Sequence, residues 1–431
     1  MRWLLTSLLL LSFPEMLLAQ EEEYSFDLSE IEIKPYDIGG YVELRPVLFG
    51  LDTDSSSHKL KFYDHGEGDT LDEYNLTFQV DASYKKGIGG LYLKMNTDLR
   101  QSDVESSEET ELYEGYLSLE PSRSLIFEIG KKTLKWGKGY ARNPVAFVDR
   151  TKDPDEPDLA REGYVVASVD YIKSFDGPLK TISFTPVAIP VFEHVNEDFG
   201  EVNNVDFAGK LYFLLYDTDI DFIVLTGGSK TTRFGFDFSR NIIPNFEVHG
   251  EFALIDDYKK RFINSDGNMF DDEYDAESYL AGLRYLTASE TTYILEYYHN
   301  GTGFSEGEME DYFSFIDKAY DTYLSSDDDA LLKKGSRVTK GSYGKINSMR
   351  DYLYLRISQK EPFDILYSTA SLTGMLNIGD NSFSLSPELL YTGITNWELR
   401  LKTIFPVGDS DTEFGEKLND YRIELRARYY F

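Results

Sequence analysis

The stretch 421–431, YRIELRARYYF, alternates without a break. Tyr421, Ile423, Leu425, Ala427, Tyr429 and Phe431 fall on one face, and Arg422, Glu424, Arg426, Arg428 and Tyr430 fall on the other. Period two with a wholly apolar face is the pattern of a β-strand. If hydrocarbon bathes that face, the register is forced. A slip of one residue would expose four charges to it, at about 2–4 kcal/mol for each basic one near the midplane and less for Glu or near the interfaces. The opposite face must then see water.

The same alternation recurs along the chain. Candidate strands lie near 39–49, 75–84, 91–100, 112–120, 125–132, 164–172, 179–187, 205–216 and 220–226. They continue near 233–240, 246–255, 277–286, 292–300, 352–359, 365–376, 383–391, 397–405 and 421–431. The count is about 18, with 16 as the alternative, and an even number suits an antiparallel up-and-down transmembrane β-barrel. Connections after even strands are brief, as at 85–90 and 217–219, whereas several after odd strands are long. Short turns at one end and long loops at the other are expected of such a barrel, and a water-soluble meander has no reason to show them. Tyr (32) and Phe (29) are abundant enough to furnish aromatic belts at both interfaces. The competing reading is a secreted all-β sandwich.

The amino terminus agrees with export. Residues 1–19 carry Arg2, an apolar run from Trp3 to Phe13, and Ala19 as a small residue at a cleavage point, which is the pattern of a secretory signal. Pro14 and Glu15 interrupt the run well short of a spanning helix. Residues 20–38 read as a short periplasmic tail and 39–431 as a single barrel domain. Cys is absent, so disulfides, thiolate metal sites, a cysteine nucleophile, covalent haem and a lipid anchor after Ala19 are excluded. The 43 basic and 76 acidic residues leave a net charge of −33, which disfavours a nucleic-acid partner.

Two connections stand out. The stretch 130–163, GKKTLKWGKGYARNPVAFVDRTKDPDEPDLAREG, is longer than a loop in a compact domain usually is. Trp136, Tyr140, Pro144, Val145, Phe147 and Val148 argue that it is ordered. It reads as a segment (131–162) folded into the bore, with an outward-facing flap as the alternative. Lys135, Trp136, Lys138, Tyr140, Arg142, Asp149 and Arg150 are its candidate constriction residues. Arg100, Arg284, Arg356, Arg400, Arg426 and Arg428 fall on polar strand faces and are candidates for the wall of the bore; wall salt bridges are the plainer reading of each. The second connection, 301–349, places Met309, Phe313, Ile316, Ala319 or Tyr320, and Tyr323 or Leu324 at helical spacing. That helix would either cap the rim or restrict the mouth.

The secretory start, the hairpin pattern and the final ARYYF together resemble the porin-like superfamily of Gram-negative outer-membrane barrels. More faintly, GKKTLKWGKGY and ITNWELRLKT resemble barrels of the alginate-export type. The first resemblance implies an outer-membrane location, with lipid and lipopolysaccharide around the wall. It makes Tyr429 and Phe431 part of a signal to the barrel-assembly machinery, makes small hydrophilic solutes the cargo, and leaves a homotrimer as an option. It also implies a constriction by the loop after the fifth strand, where basic side chains face acidic ones and orient the solute.

Chemistry on a substrate is not indicated. The five histidines are scattered, no phosphate loop, zinc motif or nucleophile elbow occurs, and no cofactor is called for. Acidic clusters at 271–273 and 327–329, read as outer loops, match no calcium loop and read as solvated surface that would still enrich cations at the mouth. The expected function is diffusion of small hydrophilic solutes, weakly selective for cations. The alternatives are a partner-dependent conduit, for polysaccharide export or as a sleeve for a redox protein, and a surface receptor or adhesin anchored by a barrel.

Overall fold

Where one face of a sheet meets hydrocarbon, an unpaired strand edge leaves N–H and C=O groups with no water to satisfy them, at several kcal/mol each. The chain removes the edge by closing the sheet on itself. The computed structural model describes residues 34–65 and 68–431, and 36–431 form one compact unit. The leader expected over 1–19 and the tail expected over 20–38, apart from its last residues, lie outside the described part.

Eighteen antiparallel strands build the wall. They are β1 (Tyr36–Leu51), β2 (Thr70–Lys86), β3 (Gly89–Ser102), β4 (Ser106–Ser122), β5 (Leu125–Lys132) and β6 (Tyr164–Ser174). Then follow β7 (Leu179–Val191), β8 (Asn204–Leu215), β9 (Thr218–Thr226), β10 (Arg233–Ile243), β11 (Phe246–Ile263) and β12 (Met269–Leu286). The last six are β13 (Thr291–His299), β14 (Asp351–Lys360), β15 (Ser368–Asn377), β16 (Phe383–Tyr391), β17 (Trp397–Val407) and β18 (Asn419–Tyr430). Each strand pairs with its sequence neighbours, and β1 closes the ring by pairing with β2 on one side and β18 on the other. The terminal residue completes the seam, since Phe431 N–H donates to the Gly40 carbonyl at 3.1 Å and Gly40 N–H donates back at 3.2 Å.

The two faces invert the usual order of a protein in water. On β18, Glu424 is 2% exposed and Leu425 is 54% exposed; on β9, Asp221 is 1% and Phe222 is 50% exposed. Polar groups therefore point into the ring and apolar ones out of it, the order that hydrocarbon outside and water inside impose. Near the short-turn end the outward side chains include Tyr84, Tyr216, Tyr285, Tyr391, Trp397, Tyr429 and Phe431, all exposed, in the manner of an interfacial girdle. Phe431 stacks on Phe78 at 6.0 Å and Tyr429 packs on Trp397 at 5.2 Å.

Several strands run farther than their apolar alternation. The segments 106–111, 258–263 and 269–274, read as loop, are strand. The acidic group Asp271, Asp272 and Glu273 thus lies on β12, opposite Arg261, Lys260 and Lys259 of β11, and not in a loop. A register shift between Ile255 and Tyr258, with Asp257 at φ 49, breaks the alternation there and hides the continuation. Conversely β15 begins at Ser368, because residues 361–367 turn with Phe363, Asp364 and Tyr367 at positive φ.

Helices gather at the long-loop end. A short helix, α1 (Ser56–Phe62), was not legible in the polar stretch after β1. The helical spacing after β13 is α2 (Glu306–Ser326), opened by a capping box between Ser305 and Glu308 and closed by Asp327 at φ 58. It is followed by α3 (Ala330–Val338). Met309, Phe313, Ile316 and Ala319 are the buried stripe of α2, the first three packed with Ile263, Tyr343 and Tyr352, whereas Leu324 is exposed. Lys59 of α1 reaches Asp317 of α2 at 2.6 Å, so helices from the β1–β2 and β13–β14 connections meet.

Candidate functional site

The connection between β5 and β6, residues 133–163, hydrogen-bonds to inward-facing residues of β4, β11, β13 and β17. Its first part is wound on carboxylates. Asp149 accepts the backbone N–H groups of Leu134, Lys135 and Trp136 at 2.9, 3.0 and 3.0 Å. Glu251 of β11 accepts those of Lys138 and Gly139 at 2.5 and 2.6 Å, together with the Asn143 amide at 3.0 Å. Glu296 of β13 accepts from Tyr140 and, at 2.9 Å, from Ala141, and it also meets His249 Nε2 at 2.9 Å. Buried carboxylates are costly unless satisfied, and these are satisfied by loop backbone that would otherwise itself lack partners. The glycines of WGKG make this approach feasible. Gly137 has φ 94, and a Cβ at Gly139 would stand 2.0 Å from the Arg142 carbonyl oxygen.

Apolar packing fixes the same half. Trp136, Val145, Phe147 and Val148 are buried against Val166, Val187, Ile189, Ile223, Leu225 and Ala253, which are inward residues of β6, β7, β9 and β11. Gly235 of β10 leaves the space, since a Cβ there would be 3.2 Å from Val145 and Phe147. Lys138 Nζ lies 2.8 Å from Asp221 and 3.8 Å from Asp237. Burial lowers the Lys138 pKa, yet hydrogen bonding and the charge of Asp221, with Asp237 beyond it, leave it above the ordinary value. Arg142 is 4% exposed, donates from Nε to Asn347 at 2.6 Å and lies 4.5 Å from the Tyr352 ring. Burial pushes its pKa down.

The second half, 151–163, turns toward the opposite wall. Lys402 of β17 donates to the Asp155 carbonyl at 2.6 Å, and Arg400 reaches Glu156 at 2.6 Å. Burial raises the Glu156 pKa, but the Arg400 hydrogen bond and the charges of Lys402, Arg400 and Arg426 outweigh it and hold the carboxyl at about 2. Beside this segment are two cavities of about 290 and 350 Å³, sharing Tyr41, Gln79, Glu156, Leu159, Ala160, Arg400, Arg426 and Arg428 in their linings. One also takes in Arg45, Arg100, Asp98 and Glu109, the other Arg356, Glu388, Glu398 and Asp158.

The sequence-derived candidates divide accordingly. Arg100, Arg356, Arg400, Arg426 and Arg428 line these cavities, whereas Arg284 is exposed near the β12–β13 turn. Trp136, Lys138 and Arg142 brace the segment against the wall, Tyr140 reaches Asp158 at 3.4 Å, and Lys135 is exposed. Asp149 organises the turn at 134–136, and Arg150 pairs with Glu162 at 2.6 Å and with Asp198. The carboxylates that hold the loop, Glu251 and Glu296, did not stand out in the sequence. Glu251 was visible only as one acid in an alternating polar face, a spacing that any bore-facing strand would show.

At the long-loop end, the connection between β17 and β18 joins the helices. Glu416 accepts Ser56 N–H at 2.5 Å, and Glu413 accepts the Tyr352 hydroxyl and the Asn377 amide, each at 2.9 Å. Burial raises the Glu413 pKa.

No family model and no curated relative matches the sequence. Among solved structures, the chain is similar to OccK11 (OpdR) of Pseudomonas aeruginosa, at 12% identity and TM-score 0.50, over 92% of this chain and 97% of that one. It is similar to Pseudomonas aeruginosa OpdQ at the same identity and TM-score, over 92% of this chain and 99% of that one. The closed antiparallel barrel of this chain is the fold of the outer-membrane porins.

Proposed function

We propose that the protein is an outer-membrane channel for small hydrophilic solutes, narrowed by the segment 133–163 and weakly selective for cations. The observation that carries the reading is the pairing of two facts: the wall is apolar outside and polar inside, and this one connection bridges inward faces from β11 to β17. On this reading the solute passes beside residues 155–160 and not beside 134–150, which are engaged with the wall. Basic side chains on β1, β3, β14, β17 and β18 line that route together with Glu156 and Asp158 of the segment, so charge of both signs borders the passage and orients a dipolar solute. The acidic excess of the chain supplies the cation preference. Tyr429 and Phe431 serve as the assembly signal.

Planar-bilayer recording tests the reading. Stepwise conductance with a reversal potential on the cation side in a salt gradient is expected. Absence of steps would point to a surface receptor anchored by its barrel, and a requirement for a co-purifying protein would point to the partner-dependent conduit.

A further inference from the structure

The lipid-facing side of β7 to β11 is not evenly filled, for a groove of about 430 Å³ opens on it. Two rows of cross-strand partners border the groove: Gly209, Val224 and Phe234 in one, Leu211, Phe222 and Phe236 in the next. Phe222 is the fifth of the nine residues of β9, so the groove lies in the hydrocarbon and not at either interface. No side chain of its lining carries a polar atom, whereas the cavities beside the interior segment are lined with charge.

The recess exists because residue 209 has no side chain. Phe207, two residues before it, is exposed to lipid and Ala208 is buried, so a Cβ at 209 would point outward. The fold does not demand glycine there. An added Cβ would meet Val224 at 3.7 Å and Phe184 at 3.9 Å, which is ordinary contact, and the φ of Gly209 is not positive. Gly235 of β10 differs, because Val145 and Phe147 of the interior segment stand 3.2 Å from the position of its Cβ. A glycine inside a strand weakens it and marks a place where something else approaches closely. At Gly209 that partner is not part of the chain.

The groove is continuous with the apolar wall that hydrocarbon bathes. Apolar groups gain no hydrophobic free energy by meeting one another in lipid, so packing decides what is held, and atoms around an unfilled recess forfeit dispersion contacts. An acyl chain is narrow and flexible, needs no hydrogen bond, and meets phenylalanine rings on several sides where elsewhere it would meet the wall on one. A second copy of this chain fits less well. Protein interfaces carry about one hydrogen bond per 100–200 Å², this lining offers no side-chain donor or acceptor, and two convex walls reach a recess poorly.

We propose that this groove retains one acyl chain of a membrane phospholipid as a bound ligand, distinct from the exchanging lipid around the rest of the wall. The site rests on the barrel fold and does not require that the barrel conduct.

The test is native mass spectrometry of the full chain, reconstituted in vesicles of dioleoyl phosphatidylethanolamine and dioleoyl phosphatidylglycerol and then extracted into octyl glucoside. One phospholipid is expected to stay on each chain, with either headgroup to the same extent, because the groove meets only hydrocarbon. Gly209→Leu fills the recess and should lower the retained fraction about fivefold or more, with Gly209→Ala between the two. Gly374→Leu on β15 is the control. Its nearest neighbour is Leu385 at 4.0 Å, so it has equal room on the lipid side, but it stands between Leu355 and Leu385 with no phenylalanines beside it in the row, and retention should match that of the unaltered chain. Heat-modifiable migration on gels confirms that each barrel is closed; if Gly209→Leu does not close, Gly209→Ala must lower retention by itself. No retained lipid, retention unchanged by filling position 209, equal loss in Gly374→Leu, or dependence on the headgroup would overturn the site. A second copy held in place of lipid and released by Gly209→Leu would assign the groove to self-association and overturn the acyl assignment. A protein that retains the lipid but passes no current would leave this inference standing and remove the channel reading instead.

Discussion

On β6, β7 and β9 the inward side chains toward the long loops are Val166, Val187, Ile189, Val191, Ile223 and Leu225, all buried beneath the interior segment. On β14, β17, β18 and β1 the inward set is Arg356, Arg400, Lys402, Arg422, Arg426, Arg428, Glu43 and Arg45, and cavities lie beside it. One wall is dry because a loop is packed onto it; the other is charged because water and the loop tip reach it. An apolar-outside, polar-inside rule therefore describes only part of a barrel that swallows one of its own connections. The passage proposed for the solute is displaced to the charged side.

Removing residues 139–158 is the severest challenge to that contrast. Conductance in planar bilayers should rise by about twofold or more, since the tip and its anchors both go; an unchanged value would mean that the segment does not restrict the route. Glu251→Gln combined with Glu296→Gln keeps the shape but removes the negative charge. Hydrogen bonds to a charged group contribute about 1.5–3 kcal/mol against 0.5–1.5 for neutral ones, so the loop should loosen by several kcal/mol in total. Faster tryptic cleavage near Lys152 would report it, and resistance equal to that of the unaltered chain would contradict it.

The dry side is tested by Ile189→Asp against Ser107→Asp on β4, an exposed residue that lines the charged cavity opposite Arg100. The first buries an unpaired carboxylate beneath Trp136 and Phe147 and should cost about 2 kcal/mol or more; the second should cost little. Thermal unfolding in detergent separates them, and equal losses would erase the distinction between the walls. The gentlest probe is pH. Because the folded-state pKa of Glu156 is depressed to about 2, its contribution is present above the ordinary carboxyl range and fades as pH falls through that range toward about 2. Arg400→Gln removes the leading partner, so the fading should begin at higher pH. Cleavage of the loop by an acid-active protease, followed from pH 5 to pH 2, would register the shift, and superimposable profiles would refute it.

The strands were legible because lipid leaves no freedom. A single misplaced register costs several charges in hydrocarbon, so Tyr421 to Phe431 had to alternate and did. Beyond the hydrocarbon that penalty disappears. Ser106 to Glu111 and Tyr258 to Ile263 are strands by pairing alone, and their sequence carries no apolar period to announce it. The candidate site was half legible. Arg356, Arg400, Arg426 and Arg428 could be placed on inward faces from alternation. That Trp136 and Arg142 brace the wall, while Glu156 meets the charged one, depends on which distant strands the loop touches.

By itself the amino-acid sequence determined about eighteen strands, with sixteen left open, the face most of their side chains take and the place of the long connection after the fifth strand, because those follow from local period and from the cost of charge in hydrocarbon. The tertiary structure alone decided which carboxylates hold that connection and which wall it covers. Glu251, Glu296 and Arg400 stand more than a hundred residues from their loop partners, and a contact between such positions is set by ring closure, which no local pattern encodes.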